Sequence, residues 1–291
     1  MTRKPRVAIV GSGSLANSLA PALHKSGYTI SEIISRDSPR SRRSASKLAV
    51  KVGASAVVAQ TAESVGSLLW FCVPDREIRS AATTLSSRAI GKVQFAFHCS
   101  GALTSRELAP LRNKNIAVAS VHPLMTFVPG SHPSLQGVPF SVEGDATAVR
   151  MARRVVRDLG GESFSISTAR KPAYHAWATL TSPLFLAFLV TLEEAARAAG
   201  LTRADARKKS SPIIRQTLEN YSRLGPNRSF SGPLIRGDVN TVEKHLAVLQ
   251  KHPDARNVYA SLAHSALSML PIKDRKELAR LLRTAASSSL S

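Results

Sequence analysis

The sequence predicts an α/β protein, a doubly wound parallel sheet followed by a smaller all-helical domain. Three observations carry this. Short β-branched and aromatic runs alternate with helix-spaced segments through the first 168 residues; a glycine-rich turn joins the first run to the first helix; and from residue 169 the apolar spacing becomes helical. Domains are therefore expected at 1–168 and 169–291, both within the usual size range.

The first unit opens with the apolar run Val7–Val10, which leads directly into Gly11-Ser12-Gly13-Ser14-Leu15-Ala16. Leu15, Leu19 and Leu23 then recur at helical spacing, and a second strand is expected at Thr29–Ile34. In this strand–turn–helix setting the first glycine permits the tight turn and the second lets a pyrophosphate approach the backbone. Ala16 allows close helix–strand packing while the helix N-terminus faces the phosphates. The pattern is that of a Rossmann-type dinucleotide site, with Gly11, Ser12, Gly13, Ser14 and Leu15 as cofactor contacts. At the end of the second strand, where Asp or Glu would hold the ribose 2′-hydroxyl of NAD, the chain has Ser35-Arg36. A hydroxyl beside a guanidinium suits a 2′-phosphate, so NADP is the expected cofactor, with Arg40, Arg42 and Arg43 as further cations or a solvated loop.

Further strands are expected at Ala54–Ala59, Leu68–Val73, Val93–His98 and Ile116–Val121. Ligands gather at the carboxyl ends of such strands, where the chain places Val73-Pro74-Asp75, His98-Cys99-Ser100-Gly101 and His122-Pro123-Leu124. Asp75 also suits a helix N-cap before Arg76–Leu85. Gly137–Val142 and Glu162–Ile166 read as strands around a helix at Ala146–Leu159. Beyond them, Pro172–Ala199 is apolar almost all round, as expected of a long buried helix at a domain or subunit junction, and that face predicts a homodimer. Ser210–Leu224, Val239–Leu249 and Asn257–Leu270 read as helices, and the tail Thr284–Ser291 as frayed.

Composition narrows the function classes. The chain has 291 residues, 43% of them hydrophobic, and a mean hydropathy of −0.04, which describes a globular protein rather than a disordered or fibrous one. Its longest uninterrupted apolar run, Leu184–Val190, is far short of the ~20 residues of a membrane helix, so no membrane partner is expected. The basic start Met1–Arg6 leads into an apolar run broken by Gly11 and Gly13, which does not read as a signal peptide. Cys72 and Cys99 lie in apolar strand-like runs and suit reduced thiols in a cytoplasmic protein; the Cys/His spacing of a metal site is absent. The net charge of +21 invites a nucleic-acid reading, but the basic residues are dispersed and little interleaved with aromatics, which argues against nucleic acid as the partner.

Six segments together carry a family resemblance: the glycine turn, Val73-Pro-Asp75, His98-Cys-Ser-Gly-Ala102, Ser120-Val-His-Pro-Leu-Met-Thr-Phe127, Lys171-x-x-Tyr-His-Ala176 and Ser231-Gly-Pro-Leu-Ile-Arg-Gly-Asp238. The chain resembles bacterial Rossmann-like NADP oxidoreductases with a C-terminal domain of unknown function. These are similar in plan to β-hydroxyacid dehydrogenases, pyrroline-5-carboxylate reductase and ketopantoate reductases. The resemblance implies hydride transfer between NADP and a small oxo or hydroxy acid, ketopantoate among the candidates, in a cleft between domains. Pyrroline-5-carboxylate reduction is one alternative. Prephenate-type oxidation is another, because His122-Pro123-Leu124 resembles the His-Pro-Met element of prephenate dehydrogenases. A non-catalytic NADP-binding sensor is a third, because Ser182-Pro183 stands where the family has Ser-Asn and is expected to kink the helix.

Such a reaction needs a donor or cation for the substrate and an acid for the forming alkoxide. Lys171 and His175, four apart, would share a helix face, with Lys171 as proton donor or carboxylate clamp, a role that resembles the lysine of the β-hydroxyacid dehydrogenases. His98, Ser100 and His122 would orient substrate or nicotinamide from the strand ends. Arg236 either clamps a substrate carboxylate, with Asp238 capping the next helix, or simply pairs with Asp238 to fix the loop.

Overall fold

A computed structural model of the chain describes residues 4–63 and 66–287. It divides into two compact units, 1–180 and 181–291. The division lies twelve residues beyond the 168/169 position expected from sequence, because Lys171 and Tyr174 at the start of the next helix are buried and bond to strand-end residues of the first unit.

In the first unit the elements run β1 (Val7–Val10), α1 (Ser14–Lys25), β2 (Ile30–Ser35), α2 (Pro39–Val52), β3 (Ser55–Val58), β4 (Leu68–Phe71), α3 (Asp75–Ser86) and β5 (Phe95–His98). There follow α4 (Ala109–Arg112), β6 (Ala117–Pro123), β7 (Pro139–Gly144), α5 (Ala146–Asp158), β8 (Glu162–Ser165) and α6 (Lys171–Thr181). The strands form one sheet in the order β3-β2-β1-β4-β5-β6-β7-β8. The strand order reverses between the parallel β1 and β4, which makes the sheet doubly wound, with α1, α2 and α5 covering one face and α3 and α4 the other. Parallel pairing is expected throughout, but β6 and β7 run antiparallel. The connection between them, 124–138, contains no helix, and a parallel neighbour would need a crossover.

Central strands buried on both faces explain the unbroken apolar runs: Val7, Ala8, Ile9, Leu68, Leu69, Trp70 and Phe71 are all inaccessible to solvent. Gly11 leaves β1 at φ +102°, and a Cβ there would sit 2.5 Å from the Cys72 carbonyl oxygen, so the turn requires glycine for both conformation and space.

The second unit contains α7 (Pro183–Arg197), α8 (Arg203–Leu224), α9 (Pro226–Ser229), α10 (Pro233–Arg236), α11 (Val239–Val248), α12 (Pro253–Met269) and α13 (Arg275–Ser287). Its core is Val242 and Leu246 of α11, Ala263 and Leu267 of α12, and Leu278 and Leu282 of α13. The sequence pattern assigns no helix at α13 and frays the tail from Thr284, whereas the helix continues to Ser287; residues 288–291 lie outside the described part.

The expected single buried helix over Pro172–Ala199 is corrected in two ways. It is broken at Ser182, whose φ and ψ of −128° and −70° are non-helical, and α7 restarts with Pro183 in its first turn. It is also largely exposed: Leu184 and Leu186 are 49% and 61% accessible, and Glu193 is the buried residue of α7. Among the described residues, the stretch Thr168–Arg197 is long and apolar enough, by length and composition alone, to cross a membrane. Its longest uninterrupted apolar run in the sequence is only Leu184–Val190, because Tyr174, His175, Thr179 and Ser182 punctuate the rest.

Candidate cofactor and active site

At the carboxyl ends of β1, β2 and β4 lies a cavity of about 680 Å³. Gly11, Ser12 and Gly13 form its floor, Ser35, Arg36, Arg40, Ser41 and Ser44 one wall, and Val73, Pro74 and Glu77 the other. Ser12 and Gly13 are fixed from behind, their carbonyls accepting Asn17 Nδ2 at 3.0 Å each and that of Ser12 also Ser44 Oγ at 3.0 Å. A Cβ built on Gly13 meets nothing within 4 Å, so the side chain missing there leaves open space against the first turn of α1. That is the cradle a pyrophosphate needs. The residues present fit a dinucleotide.

Of the cofactor candidates, Gly11, Ser12, Gly13, Ser35, Arg36, Val73 and Pro74 line this cavity. Ser14 and Leu15 are not among its lining; Leu15 packs into the core beside Leu19, Trp70 and Cys99. Arg36 is exposed and donates to Glu77 Oε1 at 2.8 Å, so an acidic group does stand at this end of the cavity, contributed by α3 rather than by β2. Asp75 does not cap α3, whose N-cap is Pro74; its carboxylate accepts the Ser100 hydroxyl at 2.7 Å instead.

This Asp75–Ser100 bond joins the cavity's edge to a second cluster. Ser100 Oγ also accepts the amides of Ala102 and Leu103, holding the turn after β5. His98 is fully buried, with Nδ1 accepting from Ser100 N at 3.1 Å and Nε2 against the Thr104 carbonyl at 3.0 Å. Burial, reinforced by the charge of Lys171, pushes its pKa down to about 3. Both ring nitrogens serve the backbone, so His98 holds the loop. Lys171 is likewise fully buried: Nζ donates to the Ser100 carbonyl at 2.9 Å and to Ser120 Oγ at 2.5 Å, tying α6 to β5 and β6. Burial lowers its pKa to about 8 against the opposing pull of Glu143 and Asp75. Glu143 is itself occupied by the amide and hydroxyl of Ser105.

His122 and His175 come together over Gly101, where a Cβ would lie 2.9 Å from His122 Nε2 and 2.9 Å from His175 Cδ2. His122 Nδ1 is 2.6 Å from the Tyr174 hydroxyl. Burial, with the charges of Lys171 and His175, pushes the His122 pKa down to about 4. Burial raises that of Tyr174. Tyr174 and Ser120 are the residues that sequence reasoning passes over. Tyr174 stands in the motif beside His175, and its helical spacing of three from Lys171 is the signal that places it on the same face.

The thiols of Cys72 and Cys99 end adjacent parallel strands on one face of the sheet, next to the paired Phe71 and His98. Both are free; Cys99 Sγ accepts the Trp70 indole N–H at 3.0 Å and Cys72 lines the cavity. Burial, then the neighbouring Cys99, pushes the Cys72 thiol well above its usual range.

In the second unit Asp238 caps α11, accepting Thr241 N at 3.0 Å and Thr241 Oγ1 at 2.7 Å. These bonds, and the charge of Arg236, hold its carboxyl below the usual range. Arg236 is exposed. His245 Nδ1 meets the Tyr259 hydroxyl at 3.0 Å. Among the described residues no cluster of three or more His, Cys, Asp or Glu side chains is arranged to hold a metal.

Two family models match the sequence, a Rossmann-like domain over residues 2–123 and a domain of unknown function, DUF2520, over residues 138–266. The chain joins a Rossmann-like domain to a DUF2520 domain. The DUF2520 match begins one residue before β7, so the sequence family takes in β7, α5, β8 and α6, which belong structurally to the Rossmann-like unit. Among curated proteins, no sequence matches the chain.

Solved structures that share the fold include the following three. A Bacteroides fragilis protein assigned as an NADP oxidoreductase superposes with a TM-score of 0.73 at 20% identity, over 90% of this chain and 97% of its own. An imine reductase from Myxococcus stipitatus, in complex with NADP+, gives 0.63 at 15% over 96% and 99%. A pyrroline-5-carboxylate reductase from Coxiella burnetii gives 0.58 at 14% over 98% and 98%.

Proposed function

We propose that the chain is an NADP-dependent oxidoreductase acting on a small molecule with a C=O or C=N bond. The observation that carries this reading is the cavity itself, with the open Gly13 at the start of α1 and Ser35, Arg36 and Arg40 at the end of β2. The three structural neighbours, described as an NADP oxidoreductase, an imine reductase and a pyrroline-5-carboxylate reductase, support the same class. Bound NADPH supplies the hydride. The protein's part is to seat the pyrophosphate on the Gly11–Gly13 turn and the 2′-phosphate beside Arg36 and Arg40. The cluster of Ser100, Gly101, His122 and His175 stands beyond the Asp75 edge of the cavity.

For the substrate we infer an oxo or hydroxy acid or the corresponding cyclic imine, with ketopantoate and pyrroline-5-carboxylate as first probes. Two titrations and one assay test the reading. NADPH is expected to bind at least about tenfold tighter than NADH, since a charge-assisted phosphate contact contributes ~1.5–3 kcal/mol, and Arg36→Asp should remove most of the difference. Equal affinities would defeat the NADP assignment. Oxidation of NADPH in the presence of each probe, followed by absorbance, tests the oxidoreductase; tight NADPH binding without turnover of any probe would favour a sensor. We further propose that the exposed apolar side chains of α7 are covered by a second copy of the chain.

A further inference from the structure

Building on the oxidoreductase reading, we propose that Tyr174 locks His122 in the neutral tautomer with its proton on Nε2, and that this N–H, beside the bare Cα of Gly101, is the proton donor to the substrate's carbonyl oxygen or imine nitrogen. The phenol lies 2.6 Å from Nδ1 with its ring edge-on to the imidazole, centroids 5.6 Å apart at 84°. A phenol O–H donating to Nδ1 leaves the proton of the neutral ring on Nε2. Nε2 in turn lies close over Gly101, where a Cβ would come within 2.9 Å of it.

Three other candidate donors around this point are already engaged, and a fourth, the exposed His175, presents Cδ2 rather than a ring nitrogen to Gly101. Both nitrogens of His98 meet backbone atoms. The Lys171 ammonium is spent on Ser100 O and Ser120 Oγ. The Ser100 hydroxyl is held between Asp75 and two amides. His122 is the side chain whose outer nitrogen stands against the bare Cα of Gly101. The charged and titratable groups facing it are Lys171, Tyr174 and His175 of α6 and His98 of β5, and burial together with the Lys171 charge favours the neutral ring. A neutral imidazole donates a hydrogen bond without carrying a charge of its own, and its weak acidity matches a strongly basic alkoxide or amide nitrogen.

The protons and electrons balance. As hydride reaches the substrate carbon, the π pair moves onto oxygen or nitrogen, which takes the Nε2 proton. Nδ1 takes the phenol proton at the same time; after product leaves, a solvent proton returns to Nε2 and Nδ1 gives its proton back to the Tyr174 oxygen, which restores the starting tautomer. Tyr174 is thus a positioning residue that acts through His122, its ring also packing beside Phe164 and Trp177, while His122 is catalytic. Lys171 becomes the strut that sets the α6 backbone beneath both.

Nitrogen-15 NMR of the full chain, labelled in histidine and assigned with His122→Gln, reads the tautomer directly. The expected result is a single Nε2–H form from pH 5 to 8, giving way to a mixture in Tyr174→Phe. Turnover is read with NADPH and either 1-pyrroline or ketopantoate. His122→Ala should lower kcat by about 10²-fold with NADPH affinity unchanged, as loss of a general acid does, and Tyr174→Phe by about tenfold with an altered pH profile. An Nδ1–H tautomer in the wild-type protein would overturn the proposal. So would full turnover by His122→Ala; if that variant melts early, full turnover by His122→Gln, with Gly101→Ala equally active, overturns it just as well. A wild-type protein that binds NADPH and reduces neither probe defeats the oxidoreductase reading, a result separate from the tautomer spectrum.

Discussion

At the scale of single residues, the cluster at the ends of β5 and β6 is held by groups whose protonation is fixed by burial. His98 is the clearest case. Its folded pKa of about 3 lies below the ordinary value of 6.5, so between these limits the unfolded chain binds more protons and stability rises with pH. Stability from this residue is complete above about pH 6.5 and is lost as pH falls toward 3. Acidification from pH 6.5 to 4 should therefore cost on the order of 3 kcal/mol, and His98→Gln should flatten that part of a denaturation-versus-pH profile. An unchanged slope in the variant would show that other groups carry the acid sensitivity. The residues of the glycine turn are legible in the sequence because their function is local: a strand, three positions and a helix are contiguous. The His122–Tyr174 pair is not, since its members are 52 residues apart and meet only when α6 lies against β6. Lys171 is read from sequence as a proton donor or carboxylate clamp, but a chain alone does not reveal that Ser100 O and Ser120 Oγ take up its ammonium.

At the scale of elements, the turn between β1 and α1 makes opposite demands at its two glycines. Gly11 is confined by its positive φ and by the Cys72 carbonyl, whereas Gly13 has an ordinary φ of −74° and empty surroundings. Gly11→Ala should therefore lower the melting temperature by several degrees and abolish cofactor binding, since strain and overpacking of this kind cost roughly 1–3 kcal/mol. Gly13→Ala should melt like the wild type while weakening NADPH by about tenfold or more, because the methyl occupies the approach of the pyrophosphate. Wild-type affinity in Gly13→Ala would remove the phosphate from this turn. Strand positions are read well from apolar runs because both faces of the central strands are buried. The direction of β7 is not, because its burial pattern is the same whichever way it pairs. In α7 the break at Ser182-Pro183 follows from proline chemistry, but apolar composition says nothing of what covers a helix, and burial within one chain is the wrong inference there.

For the whole molecule, every residue lining the cofactor cavity falls between Val10 and Thr84, inside the 1–180 unit. A fragment ending at Leu180 should therefore fold and retain NADPH affinity within about threefold, as measured by titration; loss of binding in a folded fragment would mean that the helical unit contributes to the cradle. The full chain should sediment at about twice 31.1 kDa, and Leu184→Glu with Leu186→Glu should shift it to a monomer, since two charges would be buried unpaired in the contact. A wild-type monomer at micromolar concentration would refute the second copy, and recovery of the protein with lipid vesicles would assign the apolar stretch to a membrane. The two thiols at the ends of β4 and β5 have a practical consequence. With burial holding the Cys72 thiol toward its protonated form at the cavity wall, alkylation by a maleimide is slow until the carboxyl ends of β4 and β5 loosen. The labelling rate then becomes a built-in clock for local breathing, and the slowing of that clock by NADPH would report occupancy without any knowledge of the substrate.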